Sequence, residues 1–156
     1  MTVTKPDDEY QDKTGYNTVF LAGSIEMGVA EDWQTKVANH FSKWSLGIYN
    51  PRRDSWNSDW KQEESTPEFN HQVNWELNSL NSADHIFMYF DPSTKSPISL
   101  MELGLYAASG KMIVCCPKGF WRRGNVQIIC TRFNIPLFDN LADAIGALET
   151  RIRAVK

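Results

Sequence analysis

Glu102 lies in the run Ser-Pro-Ile-Ser-Leu-Met-Glu-Leu-Gly-Leu-Tyr-Ala, residues 96–107, which reads as a helix. At about 100° per residue, Ile98, Met101, Leu105 and Ala108 share one face, and Glu102 falls within that stripe. A second helix repeats the pattern: Phe69, Val73, Leu77 and Leu80 form an apolar stripe with Glu76 close to its centre. A carboxylate aimed into a core is costly unless something pairs with it or uses it. Two consecutive helices that each turn one carboxylate inward predict a shared, partly buried acidic site, suited to nucleophilic and acid–base work. The competing assignments are local. Glu102 can bond the hydroxyl of Tyr106 one turn on, and Glu76 can pair with Lys111 or Arg132.

The elements that must position these groups alternate between strand and helix. Thr18–Ala22 reads as a first strand, followed by Gly23 and Ser24; a helix covers 31–44, and Gly47 breaks it before a short strand at Ile48–Tyr49. Thr66 and Pro67 form a cap-plus-proline helix start, and that helix runs to about Ala83. His85–Phe90 is a strand stopped by Asp91-Pro92. Ser96-Pro97 repeats the start signal, and Gly110 ends the Glu102 helix. Met112–Cys116 is a fourth strand, Asn125–Phe133 a helix, Ile135–Phe138 a fifth strand, and Leu141–Val155 a final amphipathic helix. The alternation predicts an α/β fold, a flavodoxin-like doubly wound five-stranded parallel sheet with helices on both faces. Ligands of such sheets bind beyond the carboxyl ends of the strands, at the switch in strand order. Gly23-Ser24, Pro51-Arg52, Asp91 and Pro117-Lys118 all fall at strand ends, the same edge as Glu102. Residues 1–16 read as a flexible N-terminal arm, and 17–156 as one domain.

Composition bounds the function. A chain of 156 residues with 42% hydrophobic and 22% charged residues fits one globular core. A net charge of −3 argues against a nucleic-acid polymer as partner, although Arg52-Arg53 and Arg122-Arg123 are local basic pairs. There is no apolar run of membrane-spanning length. Cys115, Cys116 and Cys130 show no disulfide spacing, and a reducing, cytoplasmic compartment follows. His40, His71 and His85 are scattered, so neither a metal site nor a cofactor is expected.

Several polar positions keep two readings. The loop Gly23–Gly28 either cradles a phosphate or sugar edge with its free N–H groups, or is an ordinary strand-to-helix connection. Ser96, and Ser99 one turn later, either cap the helix or present hydroxyls to a ligand at a favourable dipole. In the long polar loop 51–66, Trp56 and Trp60 either stack on a base or pack the loop down, whereas Trp33, Trp44 and Trp75 are packing residues on helices.

Together the pieces resemble the nucleoside 2-deoxyribosyltransferase-like superfamily. The matching segments are Val-Phe-Leu-Ala-Gly-Ser-Ile (19–25), Glu76 with Asp84 eight residues later, the strand into Asp91, Met-Glu-Leu-Gly-Leu-Tyr-Ala around Glu102, Gly110-Lys111, and Gly-Phe-Trp-Arg-Arg-Gly-Asn-Val (119–126), spanning roughly 18–140. The resemblance implies cleavage of the N-glycosidic bond of a (deoxy)nucleoside or its 5′-monophosphate. It implies Glu102 as the nucleophile and Glu76 as the acidic group that helps the base leave. Gly23, Ser24, Asp91, Ser96, Ser99 and Asn125 are then the substrate-binding set. Ser96 stands where the transferases carry an aspartate and the related 2′-deoxynucleoside 5′-monophosphate N-hydrolases a phosphate-binding serine, which tilts toward a phosphorylated substrate. Asn125 resembles an asparagine that transferases receive from a neighbouring subunit, which tilts toward transfer and implies a homo-oligomer. Two other classes stay open: a nucleotide-binding or sensing module with the same pocket and no turnover, and a flavodoxin-type flavin carrier, whose hydroxyl-rich first loop is missing here.

Overall fold

The structure, a computed structural model, describes residues 1–8, 17–26, 29–53, 57 and 59–155. Six strands form one parallel sheet: β1 (Thr2–Thr4), β2 (Asn17–Gly23), β3 (Leu46–Tyr49), β4 (His85–Tyr89), β5 (Met112–Cys115) and β6 (Leu137–Phe138), in the order β1-β3-β2-β4-β5-β6. Leaving β1 aside, this is the flavodoxin-like order, with the switch between β2 and β4. The expected count of five strands is therefore corrected to six. The extra strand falls in the segment read as an arm, where Thr2–Thr4 pairs with Gly47–Tyr49 along the sheet edge. Its signal, three β-branched residues, is too short to stand out before the charged run Lys5–Glu9. Most of the remaining arm, 9–16, lies outside the described residues.

Among the described residues five α-helices cover the sheet: α1 (Trp33–His40), α2 (Pro67–Ser82), α3 (Pro97–Tyr106), α4 (Arg123–Arg132) and α5 (Leu141–Ala154). The period-two alternation of strand side chains divides the core between the two faces. Phe20, Ala22, Ile86, Met88, Met112 and Val114 pack with Trp75 and Leu80 of α2, Leu103 of α3, and Val126 and Cys130 of α4. Val19, Leu21, Phe87, Tyr89, Ile113 and Cys115 pack with Trp33 and Val37 of α1 and with Ala144, Leu148 and Ile152 of α5. The strands are thus buried on both sides and read as continuous apolar runs. Trp33 and Trp75 are buried, and Trp44 is half-buried against Phe41. Among the described residues no helix is long and apolar enough to cross a membrane.

The rotation of α3 departs from the expected one. Ile98, Met101 and Leu105 are 56%, 53% and 60% exposed, while Ser99, Glu102 and Leu103 face the protein. The apolar stripe is therefore the outer face of α3, and Glu102 is buried on a different face. On α2 the buried residues are Gln72, Trp75, Ser79 and Leu80; the stripe of Phe69, Val73 and Leu77 is half-buried and Glu76 sits at its border.

Candidate active site

The switch point is built on a contact that requires glycine. Gly23 ends β2 at φ 132°, and a Cβ there would lie 2.1 Å from the carbonyl oxygen of Tyr89 on β4. That approach lets the Ser24 amide donate to the same carbonyl at 2.9 Å. Ser24 is buried and ties four segments together: its Oγ lies 2.9 Å from Thr94 Oγ1 and 2.6 Å from Ser96 Oγ, it accepts from the Asp91 amide at 2.9 Å, and its carbonyl accepts from Trp33 Nε1 at 2.9 Å. Thr94 Oγ1 and Ser96 Oγ are 2.8 Å apart, which closes a buried triangle of hydroxyls. Ser96 precedes α3 in a left-handed conformation (φ 47°, ψ 54°), and its side chain makes no helix cap. Its hydroxyl is turned toward the switch point instead.

The approach to α3 is tied down by a residue that sequence inspection passed over. The Glu26 carboxylate accepts from the Lys95 amide at 2.6 Å and from the Ser96 amide. Glu26 itself holds φ 40°, unfavourable for a residue with a Cβ. The helix start thus has an internal anion, as its dipole favours. Of the rest of this loop, Met27 and Gly28 lie outside the described residues.

Asp91 is buried but inward-looking. Its Oδ1 accepts from Ser93 N at 2.8 Å and Ser93 Oγ at 2.6 Å, and its Oδ2 from the Glu31 amide at 3.4 Å, so it shapes the turn after β4. Asp84 lies at the other end of the strands, where it accepts from Thr18 N and Oγ1, both at 2.8 Å. Ser99 is buried on α3 one turn before Glu102. Asn125 is exposed on the first turn of α4.

The charge of Glu76 is felt at Glu102. Glu102 is 7% exposed, and among the described residues no hydrogen bond or ion pair reaches its carboxyl. Burial, and then the charge of Glu76, push its pKa up to about 8. Burial also pushes Glu76 up to about 7, held back by a hydrogen bond from Gln72 and by the Arg53 guanidinium. Two of the local alternatives are otherwise engaged: Tyr106 donates to Asn81 Oδ1 at 2.9 Å, and Lys111 Nζ to the Asn81 carbonyl at 2.8 Å. Burial and mutual repulsion oppose ionisation of both carboxyls at once.

Other nucleophile candidates are excluded by their surroundings. The thiols of Cys115, Cys116 and Cys130 are buried, and burial pushes them up to about 12, 12 and 11, so they stay protonated. In the long loop, Trp60 lies under the Arg53 guanidinium, 5.1 Å from its Cζ, as a packing residue; Trp56 lies outside the described residues. Of the basic pairs, Arg52 donates to the carbonyls of Ala30 and Glu31 and Arg123 to that of Cys116, whereas Arg122 is exposed over the Trp121 ring.

Residues that inspection of the sequence missed are Glu26, Thr94, Gln72 and Arg53. Gln72 was the most accessible, because a residue four before Glu76 shares its helix face.

No curated protein matches the chain. The family described as nucleoside 2-deoxyribosyltransferase like matches residues 16–120, which run from the start of β2 past β5 and include Gly23, Ser24, Glu76, Asp91, Ser96, Ser99 and Glu102. With strands β2 to β5, the switch point and both glutamates inside that span, the chain belongs to the nucleoside 2-deoxyribosyltransferase-like family.

Proposed function

We propose that the protein cleaves the N-glycosidic bond of a nucleoside or its 5′-monophosphate through a covalent intermediate on Glu102. The observation that carries this is the pair of carboxyls on adjoining helices, Glu102 buried on α3 and Glu76 half-buried on α2, with the charge of Glu76 felt at Glu102. An ionised Glu102 oxygen attacks the anomeric carbon as the bond to the base nitrogen breaks. The bonding electrons leave with the base, and Glu76 supplies its proton. Build-up of positive charge on the sugar ring stabilises the carboxylate form of Glu102 beside it, by analogy with retaining glycosidases. Water, or the N–H of a second base, then attacks the same carbon. Glu102 leaves as carboxylate and Glu76 takes up the proton.

Two observations pull on the choice of substrate. The hydroxyls of Ser24, Thr94 and Ser96 suit a polar substituent. The amides of Lys95 and Ser96, which lead into α3, are bonded to the Glu26 carboxylate, and a phosphate beside it meets that negative charge. On that ground we place the unphosphorylated nucleoside first. The test is incubation with a mixed pool of nucleosides and monophosphates, followed by chromatography for free and exchanged bases. Release from nucleosides ahead of monophosphates is the expected result. Retained binding with no base released would instead assign the chain a nucleotide-sensing role.

Because the chemistry needs one carboxyl ionised and one protonated, kcat/KM is expected to be bell-shaped in pH, with limbs near about 7 and about 8. A flat profile across this window would detach the carboxyl pair from turnover.

The outer faces of α3 and α4 support a homo-oligomer as the working form. Ile98, Met101 and Leu105 on α3 and Ile128 on α4 are exposed apolar side chains, and Asn125 is exposed on the same helix as Ile128. Met101→Asp is expected to reduce the assembly to the 17.9 kDa chain in light scattering and to remove most of the activity. An unchanged mass in that variant would place the interface elsewhere.

A further inference from the structure

Arg52 and Arg53 follow β3 directly and serve opposite sides of the molecule. Arg52 binds the segment that leads into α1, whereas Arg53 binds α2. The Arg53 Nε donates to Gln72 Oε1 at 2.6 Å, and Gln72 Nε2 donates in turn to Glu76 Oε1 at 2.5 Å and to the Pro51 carbonyl at 3.2 Å. An amide has one donor end and one acceptor end. With its oxygen held by a guanidinium, which only donates, its NH₂ has to face the carboxyl. Because Glu76 Oε1 accepts that bond, the proton of the acid form falls to Oε2, the oxygen that α2 does not engage. At the far end of the chain of contacts, Arg53 Nη1 lies 3.3 Å from Asp7 Oδ1, and the Arg53 side chain is only 6% exposed. That end opens onto a cavity of about 450 Å³ lined by Asp7, Arg53, Trp60, Pro67, Glu68 and His71.

We propose that Gln72 and Arg53 are positioning residues for Glu76, and that Asp7, from the segment following β1, governs how strongly Arg53 acts on it. This rests on Glu76 being the proton donor of the proposed reaction. Gln72 fixes which oxygen carries the proton. Arg53 fixes the direction of the Gln72 amide and lends the site positive charge. Asp7 offsets part of that charge. The charged or titratable groups around Glu76 are Glu102 across from it on α3, Arg53 with Asp7 behind it, and, on its own helix at the cavity end, Glu68 and His71.

The test is a carboxyl-carbon NMR titration of Glu76 in the full chain, in a Glu102→Gln background so that one member of the pair titrates. Arg53→Gln is expected to move the Glu76 midpoint up by about one pH unit, and Gln72→Leu to move it in the same direction. Asp7→Asn is expected to move it down by a smaller amount. Arg53→Lys, which keeps the charge and loses the fork, is expected to fall between the parent and Arg53→Gln, and it serves if Arg53→Gln does not fold. With Glu102 restored, the acid limb of the pH–rate profile, near about 7, moves in the same directions. Substitutions that only weaken the fold would lower the melting temperature and leave the titration in place. A stationary midpoint, or shifts of the same sign in Arg53→Gln and Asp7→Asn, overturns the relay. Absence of base release by the parent protein bears on the proposed reaction alone, since the titration needs no substrate.

Discussion

Glu102→Gln is expected to lower base release by at least about 10³-fold while leaving the protein folded, because an amide oxygen cannot form the glycosyl ester. The variant also carries a stability signature. The Glu102 carboxyl is raised in the folded protein to about 8 from an ordinary 4.5, chiefly by burial. A group raised in this way contributes stability that is fully present below the unfolded pKa and is lost as pH climbs through the folded one. Glutamine does not titrate, so its stability has no such loss. The variant should therefore match the parent near pH 4, below the unfolded pKa, and exceed it near pH 9, by an amount on the order of a few kcal/mol. Thermal melts at the two pH values check this. A parent protein that gains on the variant as pH rises would mean that Glu102 is buried as a stabilised carboxylate, which is the wrong protonation logic for the site.

Gly23→Ala should have the largest structural effect in the molecule. A methyl 2.1 Å from the Tyr89 oxygen, 2.7 Å from its nitrogen and 2.9 Å from its carbonyl carbon meets backbone of the neighbouring strand, which cannot rotate away. The φ of 132° adds strain whatever space is made. Separating β2 from β4 also breaks the Ser24–Tyr89 bond and displaces the hydroxyls of Ser24, Thr94 and Ser96. A loss of about 4 kcal/mol or more is expected, against the roughly 5–15 kcal/mol that holds a domain of this kind together. Denaturant unfolding measures it; a midpoint shift worth less than about 1 kcal/mol would show that the two strands are not locked in this register.

The sheet was legible because its signals are redundant. Buried strands such as Val19–Ala22 and Ile86–Tyr89 are uninterrupted apolar runs, and each helix has a start or stop residue beside it. β1 was not, since three residues carry no periodicity and owe their conformation to pairing with β3. The inward position of Glu102 was inferred correctly from a face that turned out to be outward. Hydrophobic periodicity locates an apolar stripe, but it does not say whether that stripe faces the core or the outside. On α3 the inward residues are Ser99, Glu102 and Leu103, two of them polar. Ser96 has the sequence of a helix cap, yet its left-handed backbone sends the hydroxyl to Ser24, a residue 72 positions away. Such long-range partners, like Glu26 on the Lys95 and Ser96 amides, leave no local trace in the chain.

Trapping of the sugar on the enzyme addresses the central claim most directly. A nucleoside whose sugar carries fluorine at the 2′ carbon destabilises positive charge at the anomeric centre and slows the second step, so the ester accumulates. Intact-mass and peptide mapping of the inactivated protein should then show one sugar per chain, attached to the peptide that contains Glu102, and none in Glu102→Gln. Base released with no adduct on that peptide, from parent and variant alike, would contradict the account.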